Sequence, residues 1–245
     1  MSNLDGFITH KLPLPEPLAT SAEIQDRQST FLAYVFRAST PEQARRAHSH
    51  VRRVIHAKNP ASHEIMAWRC MVLKEGRTGL RGDDDFKIEE GCEDDGELRA
   101  GGHILSVMRS EAIMDAVVIV SRWYGGIMLG PVRFTHIQDC ARKVCQVFKV
   151  EDEMQDCISM LQSLDDILSD LRAELANTKG ASSPQNQDSK SEARSHPTKD
   201  YSALQKSLDI AKARRQISAR EKAIESVKKL INEDQAPSST HAPVS

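Results

Sequence analysis

Apolar residues recur with period two, or in short unbroken runs, along much of the first 150 residues, and with helical period beyond them. Segment 29–37 puts Phe31, Ala33 and Val35 on one face and Leu32, Tyr34 and Phe36 on the other, which predicts a central strand with two apolar faces. Thr40-Pro41-Glu42-Gln43 follows as an N-cap, a proline at the first helical position and a glutamine three residues past the cap. A helix is expected from there to about residue 57, with Ala44, Ala47, Val51, Val54 and Ile55 inward and Arg45, Arg46, Arg52 and Arg53 in water. Segment 64–73 alternates around Ile65, Ala67 and Cys70 and reads as another strand. Residues 74–92 are charged and glycine-rich, and read as a long mobile loop, a candidate insertion. A short helix is expected from Gly101, and Ala116-Val117-Val118-Ile119-Val120 is the β-branched run of a strand buried on both faces. Pro131 then opens a helix through Phe134, Ile137, Ala141, Val144 and Phe148.

Past residue 150 the pattern changes. Ile158, Leu161, Leu164, Leu168, Leu171 and Leu175 step by three and four, and Ile210, Ile217, Ile224 and Ile231 recur at heptad spacing. The organisation expected is an extended arm at 1–19 and an α/β domain at 20–150. An amphipathic helix at 151–176, a disordered linker at 177–200, a second amphipathic helix at 201–232 and a polar tail at 233–245 complete it. Two such helices can pair with each other, self-associate as a coiled coil, or dock on a partner.

With 39% hydrophobic and only 4% aromatic residues, part of the 245-residue chain is expected to lie outside any core. A formal net charge of −2 supplies no global attraction to nucleic acid or to an anionic membrane. The five cysteines show no CxxC spacing, and residues 1–11 lack an apolar core of the signal-peptide kind. Reduced thiols in a cytosolic or nuclear protein, here taken as cytoplasmic, are the simplest reading. No apolar run approaches the roughly 18 residues of a membrane span.

Two stretches carry the candidate chemistry. Glu93-Asp94-Asp95-Gly96-Glu97 gathers four carboxylates around a glycine, but its spacing departs from an EF-hand and such charge runs usually lie in solvated turns. Gly101-Gly102 just beyond it can form a nest or helix N-terminus receptive to an anion. The loop after the interior strand, Arg122-Trp123-Tyr124-Gly125-Gly126-Ile127-Met128-Leu129-Gly130-Pro131-Val132-Arg133-Phe134, has neither the Walker nor the dinucleotide glycine pattern. Its glycines serve either close packing or binding. Arg122 and Arg133 can pair with a phosphate, with a protein carboxylate, or internally with Asp94 and Asp95. Trp123 and Tyr124 can stack on a base or a partner, or belong to the core. His136 and Cys140, four apart, are better read as core residues than as a metal pair. No catalytic constellation, metal site or cofactor site is expected.

Cys92-Glu93-Asp94-Asp95-Gly96-Glu97, then Ala100-Gly101-Gly102 with Ile104-Leu105, then 118–134 as quoted with Ile137 and Cys140-Ala141-Arg142, closely resemble the signature of the IMPACT family in its eukaryotic version. Asp26-Arg27-Gln28-Ser29-Thr30-Phe31, Ala61-Ser62-His63 and Ala67-Trp68-Arg69 fit the same domain, and the resemblance covers roughly 20–150. It implies an α/β (α+β) two-layer domain, a mixed sheet with helices on one face, like the second domain of small-subunit ribosomal protein five. It further implies a non-enzymatic regulator of translation in the amino-acid-starvation response, which restrains the general-control kinase by competing for that kinase's activator. Monomeric actin is another partner so implied. Bacterial relatives suggest the alternative of an RNA- or ribosome-binding module, for which Arg122, Arg133, the basic helix 45–53 and the aromatic pair would form a positive platform. The binding surface implied comprises Asp94, Asp95, Gly96, Glu97, Gly101, Gly102, Arg122, Trp123, Tyr124, Gly125, Gly126, Gly130, Arg133 and Phe134, with the acidic residues facing the arginines. Family regulators carry an RWD domain ahead of this one, whereas about twenty proline-spaced residues stand here. The C-terminal helices are the expected substitute.

Overall fold

The computed structural model of the protein describes residues 13–180 and 199–235. Residues 181–198 of the expected linker 177–200, the first twelve residues of the arm and residues 236–245 of the expected tail 233–245 lie outside the described residues, while 177–180 and 233–235 are helical. Strands β1 (Ala19–Thr20), β2 (Ile24–Asp26), β3 (Ser29–Arg37), β4 (His63–Leu73), β5 (Phe86–Glu93) and β6 (Ala116–Trp123) form one sheet in the order β1-β3-β6-β4-β5, with β2 also on β3. Helices α1 (Pro41–His50), α2 (Ala100–Ser110) and α3 (Val132–Gly180) intervene or follow, and α4 (Ser202–Ser207) and α5 (Ile210–Gln235) close the described chain.

The α+β class is the one expected, and two details differ from expectation. Every strand pairing is antiparallel, where a mixed sheet was expected. Helices cover both faces, where one was expected. Phe31, Ala33, Val35, Ile65, Ala67, Val118 and Val120 pack against α2 and the start of α3. Tyr34, Phe36, Met66, Trp68, Val117 and Ile119 pack against Ala44, Ala47 and Val51 on the other side. This is why β3 and β6 are apolar on both faces. The crossover β3-α1-β4 skips over β6, and β5-α2-β6 skips back over β4. Those two steps reverse both strand direction and lateral direction, so crossovers of one hand would share a face. They lie on opposite faces, and one of the two therefore has the uncommon left hand.

Local signals explain most boundaries. The Thr40 side chain accepts a hydrogen bond from Gln43 N at 3.3 Å, and Pro41 opens α1. The helix then widens into a π-helical turn at Val51–Ile55, where His56 N donates to Val51 O at 2.9 Å. The extra residue in that turn rotates the stripe, so Val54 is exposed rather than inward. Residues 74–92 contain a 3-10 turn at Gly82–Asp85 and the strand β5 rather than a continuous loop. Between Val132 and Ala176 there is neither glycine nor proline, and the two helices expected to meet near residue 150 are one continuous helix.

Contacts divide the chain into two units, Met1–Lys149 and Val150–Ser245. In the second unit Met154, Cys157, Ile158 and Leu161 of α3 cluster with Leu204 and Ala213, with Ile210 and Ile217 against them. Asp165 accepts from Lys199 Nζ and Arg220 Nε, each at 2.7 Å, and from the Tyr201 hydroxyl. Burial would raise this carboxyl, but those three donors outweigh it and hold it at about 2 against an ordinary 3.8. A lowered folded value contributes stability above the unfolded value, and that contribution is lost as pH falls towards the folded one. The expected result is a melting temperature whose acid loss between about pH 4 and about pH 2 is smaller in Asp165→Asn than in the parent. Equal acid slopes would contradict it.

Candidate functional site

The acidic turn and the glycine-rich loop meet at one end of the first unit, and each acidic residue has its own task. Asp95 and Gly96 both have positive φ, 43° and 84°, which reverses the chain immediately after β5. The turn lets the Asp94 carboxylate accept from Arg99 N and Gly101 N, both at 2.8 Å, and so cap α2. A β-carbon at Gly101 would lie 2.9 Å from Cys92 Cβ and 3.0 Å from that carboxylate, whereas one at Gly102 would meet nothing. The helix N-terminus thus already holds an anion from within the chain. Asp95 accepts from Glu64 N at 2.8 Å, lies 3.5 Å from Arg52 Nη1, and receives His63 Nδ1 on its carbonyl at 2.8 Å.

Glu97 is the carboxylate that faces the arginines, not Asp94 or Asp95. It is 5% exposed and accepts from Arg122 Nη1, also buried, and from Arg133 Nε at 2.6 Å. His63 Nε2 lies 3.8 Å from the same carboxylate. Arg122 is placed by β6, opposite His63 in the register of β4, and its guanidinium sits over the rings of Phe31 and Tyr124 at 5.5 and 5.4 Å. Its Nε is buried without a partner among the described residues. Arg133, at the start of α3, also donates to the carbonyl of Gly130 at 2.8 Å and lies 4.2 Å over Phe134, which stacks on His103.

The loop between them is fastened by backbone hydrogen bonds. Tyr124 N donates to Ser62 Oγ at 3.0 Å, and Gly125 N to Ser29 Oγ at 3.2 Å. Trp123 turns inward, donating to Asn59 O at 3.1 Å with its ring edge-on to His56. Gly126 and Gly130 have positive φ, and Gly125 abuts the backbone of Gln28 in the β2–β3 turn. A cavity of about 340 Å³ opens over this group, lined by His63, Glu97, Arg122 and Arg133 with Tyr124, Met128, Leu129 and Gly130. Met128 is 83% exposed, Tyr124 46% and Ile127 43%. Of the expected site residues, Glu97, Arg122, Tyr124, Gly130 and Arg133 line this cavity, whereas Asp94 caps α2, Asp95 turns to β4, Trp123 is half-buried against His56 and Gly102 meets nothing. His63, Met128 and Leu129 were not among those expected. Register brings His63 in, which no local sequence pattern announces.

Two guanidiniums around one carboxylate leave a surplus positive charge beside an exposed apolar lip. Both oxygens of Glu97 are occupied, so it is poorly placed to move a proton. All five cysteines are free, and burial pushes the Cys145 thiol up to about 12 and those of Cys70 and Cys140 to about 11. No group of three metal-ligating side chains stands together among the described residues, and no helix there is long and apolar enough to cross a membrane. A second polar group lies on the opposite face of the sheet. Glu64 takes Ser121 Oγ at 2.5 Å and His56 Nδ1 at 2.6 Å, and His56 Nε2 meets the Tyr34 hydroxyl at 2.9 Å. All four residues are buried, so this resembles a catalytic triad only on paper and serves to tie β3, β4 and β6 to the π-helical turn.

Comparison with known proteins matches residues 27–145 to the model of the Impact N-terminal domain. Residues 27–145 are thus an Impact N-terminal domain. Protein IMPACT of Mus musculus is 39% identical over 138 residues, which cover 56% of this chain and 38% of that protein. Protein IMPACT of Homo sapiens is 38% identical over 130 residues, 52% of this chain and 37% of that protein. The chain thus matches less than half of these relatives' length. A solved structure described as the two-domain translational regulator Yih1 aligns over 51% of this chain and 44% of its own, with 30% identity and a TM-score of 0.33. The Impact domain contains every residue of the Glu97 clamp and of the lip above it.

Proposed function

We propose that this chain is a non-enzymatic regulator that acts by binding protein in translational control, within the amino-acid-starvation response, and restrains the general-control kinase. The observation that carries the reading is the lip of Tyr124, Ile127 and Met128, large apolar side chains held open to solvent over a buried, internally paired Glu97–Arg122–Arg133 base. Such a surface offers apolar contact area and a surplus positive charge, while its one carboxylate is engaged at both oxygens. The Impact N-terminal domain and the likeness to Protein IMPACT support a place in translational control. The activator of the kinase is the partner that fits it, with actin as the other protein candidate.

The RNA-binding alternative is weakened by where its arginines point. Arg122 is buried against Glu97, Arg52 lies 3.5 Å from Asp95, and Arg45 lies 3.8 Å from Glu93. With those cations already meeting carboxylates, only the surplus charge of the Glu97 clamp is left for phosphates. In amino-acid-starved cells, expression of the full chain is expected to lower phosphorylation of initiation factor two, and Met128→Asp is expected to abolish that effect at equal protein level. Unchanged phosphorylation with the parent chain would contradict the proposal.

A further inference from the structure

At the edge of the sheet opposite β1 and β2, strand β5 pairs only with β4, and no described strand covers its outer side. Which of its backbone groups face outward follows from the ladder. Lys74 N donates to Asp85 O at 2.8 Å, and residues 74 and 85 continue the β4–β5 register, so they form a hydrogen-bonded pair. Such pairs alternate along an antiparallel ladder. Val72 with Lys87 and Cys70 with Glu89 are therefore bonded inward, and Phe86, Ile88 and Glu90 present N–H and C=O to the free edge. Met71 agrees. It lies opposite Ile88 but turns its N–H away from β5, to Asp115 Oδ1 at 2.8 Å.

The side chains along this edge are arranged about Ile88. Ile88 is 50% exposed and lies against Met71, with Leu73 next along the same face, and both are exposed as well. One residue to either side, on the opposite face, stand Lys87 and Glu89, exposed and without an ion-pair partner among the described residues. Glu90 is already held by Arg69 and Arg109. A two-fold axis at Ile88 sets Ile88 against its own copy as a hydrogen-bonded pair and brings each Lys87 opposite the other copy's Glu89. Those charge pairs fall at the non-hydrogen-bonded positions, where side chains come closest. Axes at Lys87, Glu89 or Glu90 would each set one charge against itself. The 3-10 turn at Gly82–Asp85 ends the strand, which limits the ladder to residues 86–90.

We infer that β5 is a homodimer edge: two copies of this chain join antiparallel through residues 86–90, centred on Ile88, with two reciprocal Lys87–Glu89 pairs. The occupant is a second copy because one short strand carries both halves of the complement, an apolar centre flanked by opposite charges. Joining the edges also sets Ile88 against its own copy and pairs the backbone groups that an isolated copy leaves open. The inference is independent of the lip around Glu97 and of the C-terminal helices.

Sedimentation equilibrium of the full chain between about 1 and about 100 µM tests it. The parent chain is expected to show a concentration-dependent dimer. Lys87→Glu sets glutamates opposite glutamates and should weaken that dimer about tenfold, whereas Lys87→Glu with Glu89→Lys, which restores the complement, should recover it. Ile88→Lys, at a half-exposed position, should weaken it too while leaving the circular dichroism spectrum of the fold unchanged. A monomer at all concentrations, a dimer indifferent to Lys87→Glu and Ile88→Lys, or a charge swap no better than the single reversal would each overturn it. A dimer formed elsewhere on the chain gives the second of these results.

Discussion

Replacing Glu97 by glutamine is expected to lower the unfolding free energy by about 3–5 kcal/mol, read as a shift in the urea midpoint at unchanged slope. The size follows from what remains. Arg122 is 5% exposed, its Nε has no partner, and its Nη1 would lose the carboxylate that balances its charge. Arg133 is partly exposed and can turn to water, so most of the loss falls on Arg122. Removing both buried members, Glu97→Leu with Arg122→Met, should therefore be less damaging than either single change, because no charge is left stranded. Asp95→Arg gives a further contrast. Asp95 touches Glu64, His63 and Arg52 rather than Arg122, so Arg122→Asp should not rescue it. A loss below about 1 kcal/mol for Glu97→Gln would show that the clamp is solvated.

The second large effect is expected at Gly125. A β-carbon there would stand 2.1 Å from both the carbonyl carbon and the oxygen of Gln28, which belong to backbone and cannot swing aside. Gln28 and Arg27 before it already hold positive φ, 64° and 44°, in the β2–β3 turn. Gly125→Ala should therefore cost about 3 kcal/mol through displaced backbone, against a near-neutral Gly102→Ala, where a β-carbon meets nothing. Because Gly125 N is also bonded to Ser29 Oγ, the same change should loosen the loop that carries Tyr124 and Met128, visible as faster amide exchange there. Equal stabilities for the two alanine variants would contradict this account of the loop.

The elements that the sequence announced are those whose side chains meet a core on each side. Residues 29–37 and 116–120 are apolar at successive positions because α1 covers one face of the sheet and α2 with α3 the other. Strand β5 lacked that signal. As an edge strand it has Phe86 and Ile88 as its large apolar residues, set among Lys87, Glu89 and Glu90, and so its segment read as loop. The π-helical turn escaped for a different reason, since five residues of Val-Arg-Arg-Val-Ile carry no composition that separates i→i+5 from i→i+4 bonding. Helix α3 was read as two because the pattern of its apolar stripe changes near residue 150, although nothing there breaks a helix.

At the site, the sequence located the acidic turn and the arginines but not their pairing. Glu97 rather than Asp94 or Asp95 meets Arg122 because two consecutive positive-φ residues aim Asp94 at the N–H groups opening α2 and Asp95 at β4. The turn is held by His63, which bonds the Asp95 carbonyl and which the β4–β6 register brings opposite Arg122. The arginines of α1 and of the π-helical turn looked free in the helical pattern, yet Arg45 and Arg52 turn to carboxylates on neighbouring elements. A charge pattern shows which side of a helix is wet. It does not show which neighbour waits there.

The central claim is that the lip over the Glu97 clamp is the surface that docks a protein partner in translational control. Direct binding of the purified full chain to the purified activator of the general-control kinase, measured by calorimetry for the parent and for Met128→Asp, tests it most closely. Met128 is almost wholly exposed, so its replacement should leave the melting temperature in place. Saturable binding by the parent that falls at least about tenfold in the variant is the predicted result. Binding of equal strength in both, or none by the parent, would contradict it.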